Sequence, residues 1–489
     1  MPTHPMFLIV VFDSLRPDMV TPELAPNLFQ FMADGCSFPH SRAVFPASTY
    51  PNAAALATGS TPRHNGIVSN RYFDPSVFRD GLFQPALGSH ISAGQAAYDG
   101  NLYCTPSLGE LAAAAGYSTA TISNGSPGMC LPMNPRANQQ GHINLCFKEW
   151  EASPLPSAAN ALLKEFGPIP PSAQPNIAQN RLLTDILLEA VYPRYQPDLT
   201  LVWFTDPDQT YHYTGLGSPE TETAIQHVDA QFGRMIDWWR ASKFRTRLQV
   251  IAVSDHGHLT TRERINVNQE AGRVGLVIGD HFQDGADYAG YTSYSGGVRV
   301  RDGEPKLRAA LVEWLADQPW CGVIFTGGGN GVEGGVPGTF DYSLVLMDHE
   351  RAPHVGYVMR NFDSVHGNGL VGSCFFNGAY PEGGGTHGGL HPKELHNVMA
   401  AQGSLFREGF RSEYPAGIID IAPTILHLLE LPQPNRMDGR VLREALAGDN
   451  GEPPAPERFT RSVERHGRAQ YLRYSSVGTT TYLDAGWSE

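Results

Sequence analysis

The sequence predicts an α/β fold with a mainly parallel sheet flanked by helices, and three apolar runs carry the prediction. Phe7 to Phe12 (FLIVVF), Leu199 to Phe204 (LTLVWF) and Leu248 to Val253 (LQVIAV) are too short for most helices. They are β-branched or aromatic and lack polar alternation, the pattern of strands buried on both faces. Each is followed within a few residues by aspartate: Asp13, then Asp206 and Asp208, then Asp255. Ligands of open α/β sheets bind off the carboxyl ends of the strands, so these acids are expected to converge.

After the first strand, Pro22 to Ala33 reads as a helix closed by Gly35. The stretch from Ala43 to Asn70 then sets Ser48 and Thr49 ahead of Tyr50-Pro51 and an Ala-rich run. Proline suits a first helical position because its missing N–H would be unpaired there. A hydroxyl is thereby presented at a helix start, where free amides and the dipole favour a phosphoryl anion. Residues 71 to about 175 read as a surface insert. Within it, Ser107 to Ala115 and Tyr117 to Ser123 form a helix-then-strand unit, and 124 to 175 form a long excursion rich in Pro, Asn, Ser and Gly.

Arg181 to Tyr192 and Glu220 to Ser242 carry helical spacing, the second placing Ile225, Val228, Phe232, Met235 and Ile236 on one face. Beyond His256 the pattern changes. Lys306 to Asp317 is amphipathic, Cys321 to Thr326 reads as a strand, and further strands are expected near Tyr342 to Met347 and His354 to Met359. These make 260–380 an α+β cap inserted into a core built from 1–259 and 381–489. The glycines after Thr326 lack the lysine of a phosphate-cradling loop and read as a flexible loop. Asp420 to Leu431 returns to the core, and Gln470 to Asp484 alternates like a hairpin around Val477-Gly478.

A formal net charge of −14 argues against a nucleic-acid duplex or an anionic membrane as the main partner. It leaves a small anionic substrate open, because bound cations set the local field of a site. Six cysteines, at 36, 104, 130, 146, 321 and 374, show no C-x-x-C spacing, which leaves only a Cys130–Cys146 bridge to consider. No run reaches the roughly 18 apolar residues of a spanning helix, and MPTHP lacks a basic leader, so a cytoplasmic location is expected. Oligomeric state is not legible.

Two of the acidic strand ends also carry histidine, as Asp208-x-x-x-His212 and Asp255-His256. A mixed Asp/His set is a divalent-metal pattern. Together with FPASTYPN, TGSTPRHNGIVSN, DPDQTYH, VSDHGH and GGTHGGLHPKELHN, in that order, the chain resembles the alkaline phosphatase superfamily. Within it, the nucleotide pyrophosphatase/phosphodiesterase branch is the best match. The resemblance implies an alkaline-phosphatase-like core with Asp13, Asp255 and His256 on one metal and Asp208, His212 and His387 on the other. It makes Thr49 the metal-coordinated nucleophile, with Ser48 the fallback, and Asn70 a partner of the backbone N–H of Thr49 at a non-bridging oxygen. Arg71 is a further substrate contact, and Asp206, which replaces the glutamate of the family's E-P-D, is expected to orient a ligand histidine.

Zinc suits the mixed nitrogen and oxygen donors best, with manganese or iron as alternatives. The reaction implied is hydrolysis of a phosphodiester or nucleotide pyrophosphate through phospho-Thr49. A phosphonoacetate-hydrolase-like activity or a phosphomonoesterase on the same site is the runner-up. The loop NGSPGM, after the Tyr117 to Ser123 strand, lacks the lysines expected of the former. A sulfatase is disfavoured by the missing C/S-x-P-x-R, and a non-catalytic scaffold by the full set of ligands.

Overall fold

The computed structural model describes residues 4–149, 157–283, 285–365, 367–449 and 451–489. Its main sheet has eight strands. From one edge they are Phe410–Arg411, Cys36–Ser37, Met399–Gln402, Leu248–Val253, Met6–Phe12, Leu199–Phe204, Thr119–Ser123 and Ile143–Cys146. The last five run parallel, and the predicted strands lie side by side at the centre, with Val10 opposite Val202 on one side and Ala252 on the other. Met399–Gln402 runs antiparallel to its two neighbours.

The central strands lack polar alternation because both faces are covered. Leu8, Val10 and Phe12 pack into one apolar core with Val228, Phe232 and Met235 of the helix Pro219–Ala241. Phe7, Ile9 and Val11 point the other way, into a core shared with Ala53, Leu56, Ile421 and Ile425. Each fully buried side chain of this size contributes about 1.5–3 kcal/mol, so a polar residue on either face would be costly.

A third core lies under residues 260–380, where Val298, Phe325 and Tyr357 pack with Phe45, Val68 and Phe83. Six strands form the sheet here: Phe340–Asp341, Cys321–Thr326, Val355–Met359, Ser295–Val300, Tyr288–Tyr291 and Ile278–Gly279. A four-stranded sheet joins Leu259–Arg264 to Val371–Phe376, Asn361–Val365 and Gly385–Thr386, and so leads the chain back to His387.

Some local expectations are corrected. Tyr342–Val345 is a 3-10 turn rather than a strand, because the Asp341 carboxylate accepts the Ser343 N–H at 2.9 Å and bends the chain. The excursion after Asn124 contributes an edge strand, Ile143–Cys146, and a helix, Ser157–Phe166, while its residues 150–156 lie outside those described. The helix predicted over Arg181–Tyr192 runs from Ile177 to Ile186 and then widens into π-type turns over Leu187–Tyr195. The C-terminal hairpin carries an additional strand, Glu457–Arg465, on its outer side. All six cysteines are unpaired, Cys130 and Cys146 included.

Candidate active site

Thr49 opens the helix Thr49–Thr58, which ends at Gly59 in the left-handed conformation (φ 63°). The helix is alanine-rich because it is buried nearly all round, leaving room only for small side chains. Asn52 fastens the preceding loop: its Oδ1 accepts the Val44 N–H at 2.8 Å, and its Nδ2 donates to the Ser48 carbonyl at 2.9 Å. That fixes Thr49, 5% exposed, at the floor of a cleft of about 480 Å³.

Two groups of side chains meet at this floor. Asp13, Asp255 and His256 bring one ligand atom each within 4.8 Å of one another, and so do Asp208, His212 and His387. The groups are tied together, since the Asp208 N–H donates to the Asp13 carbonyl at 3.1 Å. Thr49 Oγ1 lies 3.3 Å from His256 Nε2. Ser48 also lines the cleft.

Neighbours fix the ligand atoms. Trp203 Nε1 donates to Asp13 Oδ2 at 3.0 Å, and the Ser14 and His256 N–H groups donate to Asp255 Oδ1 at 2.9 and 3.0 Å. Ser14 holds this position at φ +67°, a left-handed conformation rare for a residue other than glycine. His212 Nδ1 is paired with the Gly385 carbonyl at 2.8 Å, His256 Nδ1 with the Gly257 carbonyl at 2.9 Å and His387 Nδ1 with the Ala47 carbonyl at 3.2 Å. With Nδ1 paired to a carbonyl, each imidazole presents Nε2 as the ligand atom.

The remaining oxygens are conspicuous. Asp13 Oδ1, Asp255 Oδ2 and Asp208 Oδ1 are buried without a hydrogen-bond partner among the described residues. Burial first, then the charges of Asp255 and Asp208, holds the Asp13 carboxyl well above its ordinary value, and burial also raises Asp255. His387 is pushed well below its usual range by burial and then by His256, which leaves its ring neutral and its lone pair available. Buried carboxylates with unpartnered oxygens beside the neutral His387 ring are a poor arrangement by themselves and a good one around divalent cations. The residues therefore fit two such ions, with three protein ligands each and positions left over for a substrate.

Asn70 Oδ1 accepts the Tyr50 N–H at 3.1 Å, which holds the amide beside the helix start and leaves Nδ2 as a donor for a ligand. The exposed Arg71 lies over the Tyr291 ring, 5.4 Å from its centroid, at the wall of the cleft. Asp206 does not reach a histidine. Its oxygens accept from Thr210 Oγ1, the Asn176 N–H and Asn180 Nδ2 at 2.7–2.9 Å, so it anchors the helix that begins after Asn176.

Sequence reasoning missed Trp203 and Ser14. Burial pushes His258 well below its usual range; its Nδ1 lies 2.7 Å from Ser14 Oγ and 3.5 Å from Asp208 Oδ1. His391 caps a short helix and pairs with Asp363 at 2.9 Å.

A doubly covered α/β sheet thus sets two Asp/His triples that fit divalent cations beside a hydroxyl at a helix start. The chain belongs to the type I phosphodiesterase / nucleotide pyrophosphatase family, whose model matches residues 7–312. It is 22% identical over 267 residues to human ectonucleotide pyrophosphatase/phosphodiesterase family member 5, covering 52% of this chain and 45% of that protein. To ectonucleotide pyrophosphatase/phosphodiesterase 1 of Saccharomyces cerevisiae it is 29% identical over 114 residues, 20% of this chain and 15% of that one. The curated relatives are thus matched over less than half their length.

The fold is that of solved murine ectonucleotide pyrophosphatase / phosphodiesterase 5, at a TM-score of 0.61 and 18% identity, over 90% of this chain and 100% of the other. An inactive variant of that murine protein has been solved in complex with AMP. Among the described residues, no helix is long and apolar enough to cross a membrane.

Proposed function

We propose that this chain is a metal-dependent phosphodiesterase or nucleotide pyrophosphatase that works through phospho-Thr49. The observation that carries the reading is the 3.3 Å approach of Thr49 Oγ1 to His256 Nε2, inside a floor where both Asp/His triples converge. Asp13, Asp255, His256 and Thr49 would hold one cation, and Asp208, His212 and His387 the other. When bound, two divalent ions, zinc by the donor set, supply charge stabilisation to the attacking and leaving oxygens.

The chain's own residues do the rest. Thr49 Oγ1, its hydroxyl proton released to solvent, attacks phosphorus, forming the Oγ1–P bond as the ester oxygen opposite departs with the electron pair of the broken P–O bond and takes up a proton from water. The Thr49 N–H at the helix start and Asn70 Nδ2 donate to a non-bridging oxygen as negative charge builds there. Water then attacks the phosphorus of phospho-Thr49; the Oγ1–P bond breaks, Oγ1 regains a proton, and the phosphoryl product leaves carrying the water oxygen. In this reading Arg71 lies beside the substrate, residues 260–380 form the cap that reads the leaving group, and the insert at 71–175 shapes the other wall.

The substrate class is a small phosphodiester or nucleotide, in keeping with the AMP complex of the murine relative. Six unpaired cysteines fit a reducing, cytoplasmic setting. The test is a panel of nitrophenyl diester, monoester, phosphonate and sulfate substrates, assayed on protein reloaded with zinc. Turnover led by the diester is the expected result, and turnover led by sulfate or phosphonate would overturn the reading.

A further inference from the structure

His212, His256 and His387 belong to the two Asp/His triples. A further imidazole, His258, belongs to neither and is fully buried. It nevertheless touches both. Its ring centroid lies 4.7 Å from that of His212, edge on, and 5.1 Å from that of His387.

Nδ1 of His258 stands between the two groups, 2.7 Å from Ser14 Oγ and 3.5 Å from Asp208 Oδ1. Ser14 serves the first triple: its N–H donates to Asp255 Oδ1 at 2.9 Å, and its Oγ lies 3.1 Å from His256 Nδ1. Asp208 belongs to the second. The carboxylate decides which nitrogen of His258 carries the proton, because a lone pair on Nδ1 would face the negative Asp208 oxygen whereas an N–H is attracted to it. Nδ1–H therefore donates to Ser14 Oγ, and the Ser14 hydroxyl donates in turn to the Gly257 carbonyl at 3.1 Å.

The backbone makes room for this ring. A Cβ on Gly385 would lie 2.5 Å from His258 Nε2, and the Gly385 carbonyl is the group paired with His212 Nδ1 at 2.8 Å. The glycine that orients one ligand histidine is thus packed against His258. The backbone of His258 is held as well, since its N–H donates to the Lys393 carbonyl at 3.1 Å and its carbonyl accepts Arg16 Nη1 at 3.3 Å. A shift of the ring would press on Ser14, Asp208 and Gly385 together.

We propose that His258 is a positioning residue that couples the two cation sites, its Nδ1–H holding Ser14 and Asp208 at one spacing so that ligands of both triples are placed together. The proposal rests on the two-cation reading. It adds that the affinities of both sites depend on a side chain that ligates neither ion. Removing a partner that orients ligands costs about ten- to a hundredfold in metal affinity.

The test titrates metal-free full-length protein with cobalt(II) at a single pH, read by calorimetry and by the visible absorption of the bound ion. Wild type is compared with His258→Leu, which keeps bulk and loses the donor, and with His258→Asn, whose amide Nδ2 stands near the place of Nδ1. Wild type is expected to take two ions. In His258→Leu both affinities fall about tenfold or more and the absorption changes. His258→Asn recovers most of the loss, which a change in packing alone would not produce. If His258→Leu does not fold, His258→Gln takes its place, because its amide reaches the position of Nε2 and leaves that of Nδ1 empty.

Affinities unchanged in His258→Leu, with only the melting temperature lowered, would overturn the proposal and leave the two-cation reading standing. Equal losses in His258→Leu and His258→Asn, or a loss confined to one site, would do the same. Fewer than two ions bound by wild type would remove the two-cation reading itself, and the coupling with it.

Discussion

Thr49 Oγ1 stands 3.3 Å from His256 Nε2 at the start of a helix whose residues are nearly all buried. The hydroxyl therefore has little freedom to move, and its environment is set by Asp13, Asp255 and His256. Thr49→Ala is expected to reduce diester turnover by at least about a thousandfold, as loss of a nucleophile does. Metal content should remain near two per chain, because three other ligands stay at each position. If Ser48→Ala gives the larger loss, the nucleophile is assigned one residue out of place.

Chelation should abolish activity, and zinc or manganese should restore it. It should also lower the melting temperature, because Asp13, Asp208 and Asp255 then face one another with three carboxylate oxygens unpaired among the described residues. Full turnover in protein shown by elemental analysis to be metal-free would refute the two-cation reading.

A pH dependence of stability follows from Glu394, which is fully buried beneath the loop that carries His387. Its carboxylate accepts the Gly389 N–H at 2.9 Å, the Tyr294 hydroxyl at 2.9 Å and the His391 N–H at 3.2 Å. Burial outweighs these bonds and pushes its pKa up from 4.5 to about 7. A raised carboxyl binds its proton more tightly in the folded state. Its contribution is therefore complete below pH 4.5 and is lost as pH rises through about 7. The shift is worth about 3 kcal/mol at 1.36 kcal/mol per unit. Denaturant titrations of chelated protein at pH 4.5 and 8 should show this component in wild type and not in Glu394→Gln, and equal slopes in the two proteins would refute the assignment.

The central sheet was legible because both its faces are buried, so the apolar runs alone reported position and length. Asp13, Asp208 and Asp255 were legible because each follows a strand of the parallel sheet, whose ends meet, whereas the grouping into two triples, and His387 with it, came from the family resemblance. Residues acting from the side were not. Trp203 reads as an apolar strand residue until its indole N–H is found on Asp13, and Ser14 reads as a loop residue until its backbone takes a positive φ. Asp206 failed for a related reason, since its partners Asn176 and Asn180 come from a helix start that no spacing rule ties to the second strand. The 3-10 turn at Tyr342 escaped because its cause is a single side-chain bond from Ser343 N–H to Asp341, against a background of strand-like residues.

Charge decides the preference between diesters and monoesters. In the proposed two-cation site, Asp13, Asp208 and Asp255 with a Thr49 alkoxide would carry four negative charges, which two divalent cations would balance. A singly charged diester then adds less repulsion than a dianionic monoester. Each uncompensated charge in a partly dry site is worth several kcal/mol, and each ~1.4 kcal/mol is tenfold in rate. Two side chains can offset this: Arg71 and Lys148 both line the cleft. Arg71 is exposed and lies over the Tyr291 ring, where water screens its charge. A diester preference of one to two orders of magnitude in kcat/KM is therefore expected, measured with nitrophenyl phenyl phosphate against nitrophenyl phosphate at one ionic strength. Equal or faster monoester hydrolysis would show that a cation reaches the third phosphate oxygen. Arg71→Ala and Lys148→Ala would then identify it, because the variant that removes it should slow monoesters more than diesters.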